Sequence, residues 1–169
     1  AERPHFTGII PRHGLVRKEN FDYCKIDDRT VSFCFKANEK TLKEYPYNFK
    51  LKIVYTLTDK TIKTEYQVTS LELEKIMPYF IGGHPGFNCP LTESDKYQDY
   101  YLEFEKEESC SIPKSFPDTG LLDLLDRTPF LSKQKVLELD YSLFSHDAIT
   151  LDQLKSSSVS MKSKKSNRG

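Results

Sequence analysis

The chain of 169 residues is long enough to bury one real core, and with 37% hydrophobic and 12% aromatic residues it is globular rather than disordered. Lysine plus arginine equals aspartate plus glutamate at 25 each, so no net field draws it to nucleic acid or to an acidic membrane surface; an uncharged substrate suits it better than a polyanion. No apolar run approaches the roughly 20 residues that cross a bilayer, and the start at Ala1-Glu2-Arg3-Pro4 has neither a signal-peptide core nor an initiator methionine, which agrees with a fragment, a processed chain or a trimmed one.

Taken in order, the chain reads as strand after strand. Cys24, Cys34, Cys89 and Cys110 match neither a Cys-x-x-Cys knuckle nor a dense disulfide framework. Reduced thiols in a cytoplasmic protein are expected, with one surface disulfide as the lesser alternative. Thr30-Val31-Ser32-Phe33-Cys34-Phe35 alternates with period two, as a strand buried on one face does. Residues 37–45 are polar and read as a loop or one helical turn, ended by Pro46. Residues 49–57 alternate, Thr58-Asp59-Lys60 turns, and residues 61–69 alternate back. This is the clearest hairpin in the sequence, with Lys50, Lys52, Lys63 and Glu65 on a solvated face.

After a polar turn, Ile76, Tyr79, Phe80 and Ile81 predict an aromatic strand, covered on both faces or lining a pocket. It ends in Gly82-Gly83, and His84-Pro85-Gly86 follows at its exit, where the ring of His84 can project into a cleft as an acid or base. A strand-capping histidine bonded to a loop carbonyl is the alternative. Further on, residues 96–107 suit a strand; Glu103, Glu105, Glu107 and Glu108 are expected on its exposed face rather than as a catalytic cluster. Residues 113–119 read as a loop, and Leu121-Leu122-Asp123-Leu124-Leu125 as a helical turn or the end of a strand pair. Residues 136–139 and 148–151 read as short strands, with Asp140 capping a turn of helix between them. Ser157-Ser158-Val159-Ser160-Met161-Lys162 alternates as a strand, and Lys165-Ser166-Asn167-Arg168-Gly169 is turn chemistry. A turn needs a return strand, so the sheet is expected to be completed by residues outside this chain.

Two stretches carry the chemistry. Gly82-Gly83-His84-Pro85-Gly86-Phe87-Asn88 resembles the Gly-Gly-His-Pro-x-Phe-Asn signature of the aldose 1-epimerase (galactose mutarotase) family, in its LacX-like bacterial branch. Pro11-Arg12-His13-Gly14-Leu15-Val16-Arg17, about seventy residues upstream, resembles that family's His-Gly-Phe-Ala-Arg motif. Tyr45-Pro46-Tyr47, the strand pair after it and residues 144–151 extend the resemblance to nearly all of the chain.

The hairpin pattern itself indicates an all-β, antiparallel fold. The resemblance implies a large antiparallel β-sandwich of the galactose mutarotase type, incomplete here, with residues 1–169 as part of a single domain. It also implies interconversion of the α and β anomers of a free hexose, with no cofactor. In that chemistry a proton goes to the ring oxygen while another leaves the C1 hydroxyl, C1 rotates, and the ring recloses. Carried over, His84 is the acid and His13 stabilises the charge at the ring oxygen. Arg17 meets a sugar hydroxyl or orients loops, and Asp147 is the substrate-binding carboxylate, with His146 its competitor if the register slips by one. The family's general-base glutamate has no counterpart among these residues, nor has the arginine that usually precedes His13. Partners expected are a small sugar and the remaining segments of the same protein, and neither nucleic acid nor membrane.

His5, His13, His84 and His146 show no i,i+2 or i,i+4 pairing, so no metal site is expected, and Cys89 reads as a packing thiol rather than a nucleophile. A non-catalytic sugar-binding module of the same fold is the alternative function. A hexose-6-phosphate epimerase is a second; only Arg12 and Arg17 flank the first motif, where such an enzyme would gather several arginines.

Overall fold

In the computed structural model, residues 10–11, 13–74, 76–145 and 147–167 are described. They fall into two compact units, Ala1–Gly82 and Gly83–Gly169. The first is built on the hairpin that alternation predicts: β3 (Phe49–Thr58) pairs antiparallel with β4 (Thr61–Ser70) from Phe49 opposite Ser70 to Thr58 opposite Thr61. Asp59, in the two-residue turn, has φ 50°, a left-handed value that aspartate tolerates better than most residues. Before it come β1 (Asp22–Lys25) and β2 (Thr30–Lys36), giving a four-stranded meander in the order β1-β2-β3-β4.

Alternation fixes what this sheet buries. Phe35 lies opposite Leu51, and Leu51 opposite Val68; Phe35, Phe49 and Leu51 form the buried centre. Phe21, Tyr45, Ile53, Met77 and Val16 pack against them. Burying one such side chain fully contributes about 1.5–3 kcal/mol. The lysines at 50 and 52 occupy the opposite face, but they are half-buried rather than fully solvated, and Val54 on that same face is buried. The polar stretch after β2 forms one short helix, α1 (Glu39–Glu44). Asn38 accepts from the Thr41 amide at 2.9 Å while its own N–H donates to Thr41 Oγ1 at 2.9 Å, a reciprocal cap that satisfies two orphan donors.

The second unit holds a three-stranded antiparallel sheet in the order β6-β5-β7, from β5 (Tyr100–Phe116), β6 (Leu121–Glu138) and β7 (Val159–Ser163). Phe104, Cys110, Leu131 and Leu137 make its core, with Leu102, Phe130, Leu143, Leu151 and Leu154 against them. The buried Tyr100 hydroxyl donates to Asp95 at 2.6 Å and accepts the Leu91 amide at 2.9 Å, so the 91–95 loop is tied to the start of β5.

Several expectations need correction here. Residues 76–81 form no strand ladder with any described residue; Ile76 and Phe80 are essentially fully exposed. Pro78 has no donor to offer a ladder, and what anchors the stretch is Met77 in the core and the Tyr45 hydroxyl, 2.5 Å from the Pro78 carbonyl. Residues 113–119 are not a loop. β5 continues through a buried Pro113 opposite Arg127, and only residues 117–120 turn, with Gly120 at φ 71°. The leucine run at 121–125 opens β6, and residues 136–138 close that same strand. Residues 148–151 are not a strand; Leu151 instead packs on the core.

Glu108 is the sharpest correction. It shares sequence parity with the inward Phe104 and Cys110 rather than with Glu103, Glu105 and Glu107, and it is fully buried. Its carboxylate accepts the Lys155 amide at 3.0 and 3.1 Å, the Ser156 amide at 2.7 Å and the Ser156 hydroxyl at 2.5 Å. Four hydrogen bonds to the charged form explain how a carboxylate is accommodated there.

Candidate active site

His84 lies in the second unit, in an exposed stretch, residues 83–88, without regular secondary structure. Gly82 and Gly86 are not forced by packing: a β-carbon built on either meets nothing within 4 Å. At the end of this stretch Cys89 precedes a cis-proline, Pro90, and is half-buried. Burial pushes its thiol above the ordinary cysteine pKa, so it stays protonated at neutral pH and makes a poor nucleophile.

His13 and Arg17 lie in the first unit. His13 is the third residue of a reverse turn closed by the Gly14 amide on the Pro11 carbonyl at 2.9 Å. Its φ of 72° is a left-handed value that side chains with a β-carbon resist, at about 1–3 kcal/mol. Gly14 follows at φ 81°, where glycine is the natural choice. Two residues later Val16 drops into the core, and the Glu19 amide bonds its carbonyl at 3.1 Å. That turn leaves Arg17 on the surface. Glu19 is held by an ion pair with Lys40 and a 3.5 Å bond from Asn38, and the Lys40 hydrogen bond keeps its pKa below the usual carboxylate value.

Asp147 closes the loop after β6. Asp140 caps a 3-10 turn, Tyr141–Phe144, by accepting the Ser142 amide at 2.8 Å, as its sequence position predicts. The Asp147 amide then donates to the Phe144 carbonyl at 3.1 Å, and Asp147 itself is left-handed at φ 75°. Two of the four candidate residues therefore sit at positive φ. His5, Arg12 and His146 lie outside the described residues.

A cleft of about 780 Å³ in the second unit runs along β7, lined among others by Phe87, Tyr101, Met161 and Asn167. Neither His84 nor Asp147 lines it, so the motif meets the cleft through Phe87. The local patterns gave no sign of a stacked pair, Tyr97 on Tyr141, in the same loop region as Asp147. Its partners are too far apart in sequence for any periodicity to reveal it.

The sequence model of the aldose 1-epimerase family matches residues 2–169. The chain belongs to this family. Two relatives from Lactococcus lactis subsp. lactis, the plasmid and chromosomal forms of Protein LacX, are each 64% identical over 168 residues. These matches take in 99% of this chain and 56% of each relative, so the chain spans a little over half the length of the curated relatives it matches. Among solved structures, a galactose mutarotase related enzyme from Lactobacillus acidophilus aligns with a TM-score of 0.81 at 25% identity, over 94% of this chain and 52% of that one. A galactose mutarotase-like protein from Lactobacillus casei aligns at 0.56 with 29% identity, over 73% and 45%. The antiparallel sheets of this aldose 1-epimerase family member are thus of the galactose mutarotase-like fold. None of its described helices is long and apolar enough to cross a membrane.

Proposed function

We propose that this chain is part of an aldose 1-epimerase that interconverts the anomers of a free hexose by acid–base ring opening, both units belonging to one sandwich domain in the cytoplasm. The observation that carries the reading is the placement of His84. In this family member the motif histidine is exposed, and a β-carbon built on Gly86, two residues on, meets nothing within 4 Å. An imidazole titrates near neutrality, so in its protonated form it can give a proton to a ring oxygen and recover it on closure.

His13, presented at the tip of a strained turn, donates a hydrogen bond to the ring oxygen as negative charge develops there. Arg17 and Asp147 hold hydroxyls, the first as donor and the second as acceptor. The C1 hydroxyl must lose its proton to a base. The family resemblance gives that role to a glutamate for which these residues offer no matching position, so we propose that residues outside this chain complete the site, and that the chain by itself is inactive. No cofactor enters the scheme.

The test is the relaxation of freshly dissolved α-glucose or α-galactose in a polarimeter, with the intact protein. Acceleration over buffer that is lost in His84→Ala supports the reading. Sugar binding with no acceleration would establish a binding module instead.

A further inference from the structure

Two short 3-10 turns of the second unit, Tyr97–Asp99 and Tyr141–Phe144, meet through their aromatic rings. Tyr97 and Tyr141 lie with centroids 4.6 Å apart and planes only 20° from parallel, and Phe144 approaches Tyr97 edge-on at 6.5 Å and 61°. The turns are also clipped by a hydrogen bond from the Gln98 side-chain amide to Asp140 at 3.4 Å, and Asp140 in turn caps its own turn. Tyr97 is half-buried, whereas Tyr141 keeps 66% of its surface exposed. One face of the Tyr141 ring therefore rests on Tyr97, while most of the residue's surface is exposed.

Asp147 closes the same loop, its amide bonded to the Phe144 carbonyl at 3.1 Å. We propose that the exposed Tyr141 ring is the stacking wall of a hexose subsite, with Asp147 as the acceptor for the sugar's hydroxyls. The proposal rests on the sugar-handling reading above and names a residue that reading does not use. A pyranose is amphipathic: C–H bonds cluster on a ring face, and hydroxyls project at the rim. Those C–H bonds carry slight positive charge that suits the negative face of an aromatic ring, while the rim hydroxyls need an acceptor close by. A tyrosine already held by a stack beneath it loses little freedom when a sugar lands on it, which favours affinity.

The test uses the intact protein and the methyl glycosides of glucose and galactose, which are locked at C1 and cannot open. Titration should shift the Tyr141 ring resonances. Tyr141→Ala should weaken glycoside binding about three- to tenfold, the worth of one aromatic stacking contact. It should raise KM for mutarotation more than it lowers kcat, and Tyr141→Phe, which keeps the ring, should recover most of the loss. Glycoside binding that leaves the Tyr141 signals unmoved, unaltered affinity in Tyr141→Ala, or no glycoside binding at all would overturn the proposal. If glycosides bind on Tyr141 but the wild type does not accelerate mutarotation, the enzymatic reading fails and the subsite stands. If mutarotation is fast and Tyr141→Ala matches wild type in KM, only the subsite fails.

Discussion

Glu108, fully buried in the second unit, and Ser156 are joined twice, by the serine amide at 2.7 Å and its hydroxyl at 2.5 Å. With the Lys155 amide added, the charged carboxylate accepts from three donors, and these bonds, led by that of the Ser156 hydroxyl, hold its pKa below the ordinary glutamate value. A depressed folded pKa means that the unfolded chain takes up the proton first. The stabilisation is therefore complete above the unfolded value of about 4.3 and is lost as pH falls through the lower folded value. Glu108→Gln should lower the melting temperature at pH 7 by roughly 5 °C or more, since its NH₂ group would face donors. The gap between variant and wild type should shrink on acidification; a gap that stays constant down to pH 3 would show that the charge is not what matters.

Packing separates two apolar residues that look alike in the sequence. Leu51 is buried against Phe35 and Phe49, so Leu51→Ala should destabilise this chain by about 2–5 kcal/mol. Phe80 is fully exposed, and Phe80→Ser should change its stability by no more than about 0.5 kcal/mol. Denaturant midpoints of the two variants decide it; a large loss in Phe80→Ser would mean that the stretch is packed after all.

What could be read in advance follows from how local each determinant is. The β3–β4 hairpin is legible because its alternation, its turn and its register are all contained in one short stretch. The Asp140 cap is legible for the same reason. Whether residues 76–81 pair depends on what lies beside them, which their own alternation cannot say. Glu108 looked like one more surface acid because its donors come from Lys155 and Ser156, far along the chain. The candidate histidines were found by motif, yet the left-handed backbone at His13 and Asp147 was not foreseen, and neither was the Tyr97–Tyr141 stack. Both reflect geometry imposed by neighbours rather than by residue type.

The thiols should differ in reactivity as their surroundings do. Cys24 is exposed, Cys34 and Cys89 are partly covered, and Cys110 is buried in the second core, with burial raising the pKa of the last two. A chromogenic disulfide reagent at pH 8 should label Cys24 first and Cys110 last, and four thiols should be counted after denaturation without reductant. Fewer than four would reveal a disulfide and count against the cytoplasmic proposal.

The two histidines can be compared for activity and stability side by side. His84→Ala should lower the mutarotation rate of the intact protein by about 10²- to 10⁴-fold, the usual contribution of a general acid. His13 differs, because its φ of 72° is itself unfavourable. His13→Gly removes that strain of about 1 kcal/mol or more, and the extra backbone freedom of glycine in the unfolded chain costs about 0.5–1 kcal/mol, so the two effects should nearly cancel. The variant should turn over more slowly, because the hydrogen bond to the ring oxygen is gone, and any fall in its melting temperature beyond this backbone balance measures the side chain's own contacts. Paired polarimetry and thermal melts of both variants check this. A His13→Gly protein that is clearly destabilised would show the side chain to be structural, and wild-type speed in either variant would remove that residue from the chemistry.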